Sequence, residues 1–231
     1  MLLRDGPHGL EVYLTRRSAR SAFVPDTFVF PGGAVEPNDA APELLARLHG
    51  ADARVAQETS VAALRELFEE AGVLLACDET GAALAFDARQ LVELRAEMTA
   101  GTQLEALLAR NRWLLDARDL AYYSNWITPR GETRRFDAHF FIAALPAGQQ
   151  AAADAVEVHD GIWLAPLDAL RRADEGGLPI IFPTRKHLER LRAHASIAAA
   201  LAAARLRTVV PVNPVMDERG EPSLPDELAA W

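Results

Sequence analysis

"RELFEEAG", Arg65 to Gly72, decides how the rest of the chain is read. On a helix from Ser60 to Ala71, the residues Val61, Leu64, Leu67, Phe68 and Ala71 share one side, with the i, i+3, i+4, i+7 spacing of a core-facing stripe. Glu66, Glu69 and Glu70 gather on the other side. Thr59 or Ser60 is placed to cap the first turn, and Gly72 to close the last one in left-handed backbone. Like charges on a wet helix cost only about 0.2–0.5 kcal/mol per pair, so the trio is compatible with a solvated face partnered by Arg65. It is equally a rigid set of hard oxygen donors, suited to Mg²⁺ or Mn²⁺ and hence to phosphate chemistry.

Toward the N-terminus, "VPDTFVF" (Val24 to Phe30) alternates Phe28 and Phe30 with Thr27 and Val29, a short half-buried strand closed by Pro31. Gly32 and Gly33 stand at its exit. Paired glycines there permit positive φ and a close approach of bare backbone to a ligand or ion; a plain turn is the simpler reading.

Taken together, "VFPGGAVEPNDA" (Val29 to Ala40) and "LRELFEEAGVLLA" (Leu64 to Ala76) resemble the box of the Nudix hydrolases, G-x5-E-x7-R-E-U-x-E-E-x-G-U with U apolar. Gly33 takes the place of the opening Gly, Arg65-Glu66 of the Arg-Glu, Leu67 of the apolar residue, Glu69-Glu70 of the Glu pair, and Gly72-Val73 of the closing pair. The family places its Arg fourteen positions after the first Gly, whereas Arg65 follows Gly33 by thirty-two, so the box is stretched. Its middle Glu falls on Gln57, beside Glu58, when counted back from Arg65, and on Asp39 when counted forward from Gly33. Similar stretching occurs in the branch that resembles peroxisomal coenzyme A diphosphatases.

The resemblance implies one Nudix domain over residues 1–231, an α/β/α sandwich with a mixed sheet. An insertion occupies 37–58 inside the box, and a helical subdomain is inserted at about 85–121. It also implies divalent-metal-dependent cleavage of the phosphoanhydride in a nucleoside diphosphate linked to another moiety. Coenzyme A or acyl-coenzyme A leads among substrates, with ADP-ribose or a dinucleotide next; a nucleotide-sensing module without catalysis is the reading from another class. In this scheme Glu66, Glu69 and Glu70, with a backbone carbonyl of Gly32 or Gly33, hold the metal, and Arg65 holds the glutamates. "VEVHDGIWL" (Val156 to Leu164) resembles the family segment that supplies a further glutamate, which makes Glu157 the candidate general base or extra ligand. Arg17, in "YLTRRS", matches part of the coenzyme A element of such relatives. Arg130 and Arg135 join it as candidates for substrate phosphates.

Composition bounds these readings. A net charge of −9 argues against a broad nucleic-acid footprint, leaving a small molecule as the expected partner and a homodimer open. Cys77 is the single cysteine, which excludes an internal disulfide and favours a reducing cytoplasm. No stretch approaches the roughly 20 apolar residues that span a bilayer. The histidines form no zinc pattern, His139 reads as structural, and Cys77 reads as buried. Around the box, "MLLRDG" and "LEVYLTRRS" read as a hairpin, and Leu44, Leu45 and Leu48 as a short helix folded over the box helix. Further on come helices from Ala88 to about Arg112 broken at Gly101, and two strands flanking Pro129-Arg130-Gly131. A strand leading into a helix at Pro166 follows, and then helices from Thr184 to Leu206.

Overall fold

The computed structural model describes residues 1–21, 24–129, 135–154, 158–228 and 231. The chain opens on the expected hairpin: β1 (Leu2–Gly6) and β2 (Gly9–Arg17) are antiparallel, with Gly6 opposite Gly9. Gly9 takes a φ of 119°, which an L side chain rarely adopts, so the turn requires glycine there. Then follow β3 (Phe28–Val29), α1 (Pro42–Leu45), β4 (Leu48–His49), α2 (Gln57–Ala71) and β5 (Ala76–Asp78). Next are α3 (Ala88–Thr99), α4 (Leu104–Asn111), β6 (Trp113–Asp116), β7 (Ala121–Ile127), β8 (Asp137–Ala144) and β9 (Val158–Leu164). The last part holds α5 (Pro166–Asp174), α6 (Phe182–Leu191), α7 (Ile197–Leu206), β10 (Pro211–Val212), and the ribbon of β11 (Val215–Met216) and β12 (Pro222–Ser223).

The main sheet runs β10-β7-β8-β1-β2-β3, with β9 along the other edge of β2. It is mixed: β1 lies parallel to β8 and β10 to β7, while the remaining pairs are antiparallel. Strand alternation sends side chains to two cores. Leu10, Val12 and Leu14 face Leu170, Leu188, Leu191 and Ala200 of α5, α6 and α7. Tyr13, between them in sequence, faces the opposite way and meets Leu67 and Ala71 of α2. Beside it Val61, Leu64 and Phe68 pack with Tyr122, Phe141 and the leucines of α3 and α4. Helices on both faces of one sheet give the α/β/α sandwich.

Three local readings change. Helix α2 begins at Gln57, after Ala56, with no side-chain cap, in place of a start capped by Thr59 or Ser60. Ser60 is buried within the helix, and Val55 and Val61 on either side of the first turn pack against the core. Leu48 belongs to a strand: β4 pairs with β6, and β6 with β5, so a three-stranded sheet adjoins α3 and α4 in what read as a purely helical insertion. Such short strands carry no usable periodicity. Leu44 packs on α2 as expected. Gly72 closes α2 in left-handed backbone, at φ 66°. No helix of the described residues is long and apolar enough to cross a membrane.

Candidate functional site

Helix α2 presents its glutamates to the Phe30–Asp39 segment that leaves β3, and the contacts are specific. The backbone N–H of Gly32 donates to Glu70 Oε2 at 2.9 Å. Gly33 lies so close to Glu66 that a Cβ built there would sit 2.3 Å from Glu66 Oε1 and 2.7 Å from its carboxyl carbon. With any other residue at 33, the Glu66 carboxylate would have to leave this position. Gly32 has a φ of 153°, with open space beside its Cα, so its role is the turn and the N–H that it gives to Glu70.

Arg65 joins the parts. Its Nε and Nη2 donate to the two oxygens of Asp39 at 2.8 and 3.0 Å, and Nη2 also reaches the carbonyl of Ala34 at 3.0 Å. Its Nη1 donates to Glu66 Oε1 at 2.8 Å and to Glu69 Oε2 at 2.7 Å. Asp39 in turn accepts the N–H of Glu36 at 2.8 Å, which pins the loop that carries it. Asp39, Arg65, Glu66 and Glu70 are 0%, 7%, 9% and 4% exposed, whereas Glu69 remains accessible. The wet acidic face that the helix pattern allowed as one of two readings is therefore covered on two of its three carboxylates. The cover comes from a loop remote in sequence, which no helical periodicity registers.

Burial works against the Arg65 charge, but Asp39, Glu66 and Glu69 outweigh it and hold the guanidinium protonated well above its ordinary range. Burial pushes the Glu69 carboxyl up; Arg65 draws it back, while Glu36 and Asp39 push it further up. A cation brought to Glu69 would relieve that crowding of negative charge.

The alternatives for the middle acidic residue are resolved by position. Asp39, counted forward from Gly33, is the partner of Arg65, and Gln57 sits exposed at the first turn of α2. Arg95 of α3 is a contributor that sequence reading missed. Its Nε donates to the carbonyl of Glu69 at 2.8 Å, Nη2 bonds the same oxygen, and Nη1 donates to the carbonyl of Ala152 at 2.9 Å. It thereby ties the last turn of α2 to the segment before β9. No local pattern marks it.

Two sequence candidates for substrate phosphates are bonded locally. Arg17 ends β2 and donates to Ser21 Oγ at 3.1 and 2.9 Å, and Arg135 donates to the carbonyl of Thr128 at 3.4 Å, so their bonds are to their own loops. Glu157 and Arg130 lie outside the described residues. His139 is structural, its Nδ1 2.8 Å from Tyr122 Oη, and Cys77 is buried.

The donor set fits a hard divalent cation. It is all oxygen, clustered on one rigid helix, and faces a corner of backbone that a Cβ would fill. Among the described residues no three His, Cys, Asp or Glu side chains already converge as a cage, and Arg65 bonds one oxygen each of Glu66 and Glu69.

A glycine corner closed on a glutamate helix at one end of a mixed sheet is the arrangement of the Nudix fold. A crystal structure of a NUDIX hydrolase from Alicyclobacillus acidocaldarius superposes with a TM-score of 0.77 at 28% identity, covering 90% of this chain and 95% of that one. The NUDT19 Nudix domain family matches residues 51–191, more than half of the chain. This chain belongs to that Nudix family. Among its relatives, the acyl-coenzyme A diphosphatase NUDT19 of Xenopus laevis is 29% identical over 206 residues, covering 69% of this chain and 54% of the relative. Putative nudix hydrolase 7 of Caenorhabditis elegans is 27% identical over 180 residues, covering 78% and 55%. The chain thus spans about half the length of these relatives. The family match begins after the glycine corner and Asp39, which geometry alone joins to Arg65.

Proposed function

We propose that this protein hydrolyses the phosphoanhydride of a nucleoside diphosphate linked to another moiety, with Mg²⁺ or Mn²⁺, and that coenzyme A or acyl-coenzyme A is the substrate class. The observation that carries the reading is the convergence of Glu66 and Glu70 on the Gly32–Gly33 corner, with Glu69 accessible beside them. The names of the NUDT19 relatives support the substrate class.

Glu66, Glu69 and Glu70, with a carbonyl of Gly32 or Gly33, would hold the metal. When bound, such an ion offsets the diphosphate charge and lowers the pKa of the attacking water. Arg65 keeps Glu66 and Glu69 at fixed positions through charge-assisted bonds, so the carboxylates need little reorganisation on binding. The Gly32 N–H orients Glu70. Glu157, immediately before β9, is the candidate to take the proton from water. Arg17, Arg130 and Arg135 remain candidates for substrate phosphates, and a reducing cytoplasm is the proposed compartment.

The test is incubation with a panel of diphosphates and Mg²⁺, with products identified by mass spectrometry. Turnover is expected for coenzyme A esters, abolished by EDTA, restored by excess Mg²⁺, and reduced at least about 100-fold in Glu69→Gln and Glu70→Gln. Undiminished turnover in both variants would overturn the metal assignment.

A further inference from the structure

The chain is acidic overall, at −9, yet three arginines edge one open cleft of ≈ 540 Å³ between the loop before α2 and the segment that follows α7. Arg54, Arg205 and Arg207 line it together with Tyr122, Asn125 and Thr208, and no carboxylate is among the described lining residues. All three guanidiniums are exposed, so their mutual repulsion is screened by water, and a bound anion would offset what remains of it.

Their directions are fixed in advance. Asp52 accepts from Arg54 Nε at 2.9 Å and from Nη2 at 2.5 Å. Arg54 Nη1 then donates to the carbonyl of Arg207 at 2.8 Å, which ties the two walls of the cleft together. The Arg54 guanidinium also lies 5.9 Å from the centre of the Tyr122 ring. Arg205 Nη2 is held by Asp119 at 2.6 Å and by the carbonyl of Arg118 at 3.2 Å. Asp52 and Asp119 thus neutralise two of the three cations. Arg207, exposed on the rim, has no ion pair among the described residues, and its charge is the surplus.

A small anion alone would leave most of the cleft unfilled, since volumes of roughly 300–1,000 Å³ hold whole small molecules. Guanidinium forks with a hydroxyl suit the three terminal oxygens of a phosphomonoester. Leu206, Val209 and Pro211 supply an apolar rim for the group that bears it. We infer that this cleft binds the phosphomonoester of a nucleotide. Two sources share this chemistry: a phosphate of the substrate remote from the scissile anhydride, or a separate nucleotide. The first rests on the function proposed above. Arg54 stands three positions before Gln57, the first residue of α2, and Gln57 lies about 14 Å along the helix axis from Glu66, a span within the length of one elongated molecule.

Calorimetric titration of the full chain in EDTA, with adenosine 5′-monophosphate and with adenosine, tests the site without any turnover. The monophosphate is expected to bind at least about ten-fold more tightly than adenosine, and Arg207→Ala and Arg205→Ala are each expected to weaken it about ten-fold while leaving adenosine unchanged. A monophosphate that binds no better than adenosine, or binds both variants as it binds the wild type, overturns the inference. Coenzyme A and dephospho-coenzyme A, which differ only by a ribose phosphomonoester, separate the sources. A preference in kcat/KM that collapses in Arg207→Ala places the substrate's own phosphate in the cleft; an unchanged preference alongside weakened monophosphate binding places a separate nucleotide there. Arginine-dependent monophosphate binding without hydrolysis of any diphosphate would sink the proposed activity and leave the cleft standing.

Discussion

Replacing Asp39 by Asn tests the link between the two halves of the stretched box. Arg65 is almost fully buried, and Asp39 supplies two of its five side-chain acceptor contacts, the others coming from Ala34, Glu66 and Glu69. Removing one partner of a buried pair typically costs about 3–5 kcal/mol when the remaining charge is left alone. Here Glu66 and Glu69 still face the guanidinium, so the expected loss is smaller, about 2–3 kcal/mol. Asn restores one acceptor but sets an NH₂ group either against both the N–H of Glu36 and Nη2 of Arg65, or against Nε of Arg65. Freed from its anchor, Arg65 no longer holds Glu66 and Glu69 in place, and partners of this kind typically contribute about 10–100-fold to metal affinity or activity. Asp39→Asn is therefore expected to lower kcat/KM by about 10–100-fold and to raise the Mg²⁺ concentration for half-maximal rate. Gln57→Ala, at an exposed position of the first turn, is expected to stay within about 0.5 kcal/mol in urea unfolding and to keep wild-type rates. If Gln57→Ala were the more damaging of the two, or Asp39→Asn kept full activity, the pairing of Asp39 with Arg65 would have no catalytic bearing.

Gly33→Ala puts a methyl group 2.3 Å from Glu66 Oε1, so hydrolysis should fall steeply while the thermal midpoint moves by only a few degrees; equal rates would show that Glu66 is free to swing away. Arg95→Ala should destabilise the last turn of α2 by about 1–3 kcal/mol and lower kcat more than it changes KM, with partial recovery in Arg95→Lys. A purely structural role would give lost stability with unchanged kcat in the folded fraction. His187 is buried, donates from Nδ1 to the carbonyl of Pro183 at 2.6 Å and accepts from Ser124 Oγ at 2.6 Å, and burial pushes its pKa down to about 3. The unfolded chain binds a proton near the ordinary value of about 6.5 that the folded chain refuses, so stability is full above that pH and falls as pH drops toward 3. From this residue alone, about 2–3 kcal/mol should be lost by a pH of about 4.5, and His187→Gln should flatten that part of a urea-denaturation series. An identical pH slope in the variant would refute the assignment.

The helix α2, its apolar stripe, the Gly72 cap, the opening hairpin and the break between α3 and α4 were legible because each is a local pattern. Periodicity, a left-handed glycine or a turn pair is written within a dozen neighbouring residues. The small sheet of β4, β5 and β6 was not, since strands of two to four residues show no alternation. Choosing between Asp39 and Gln57 also lay beyond the sequence: both satisfy a count along the chain, and only the fold brings one of them to Arg65.

By itself the sequence determined which side chains carry oxygen donors, and that three of them rise from one helix opposite a core. Tertiary structure decided how those donors are used. It laid the Gly32–Asp39 loop over Glu66 and Glu70, which converted a face that reads as solvated into a largely buried ionic cluster held by Arg65. It also brought Arg95 to the end of α2 and gathered Arg54, Arg205 and Arg207 around one cleft. The physical reason is the same in each case. Helical spacing depends on neighbours a few residues apart, whereas burial and charge pairing depend on which distant segment the packed core sets alongside.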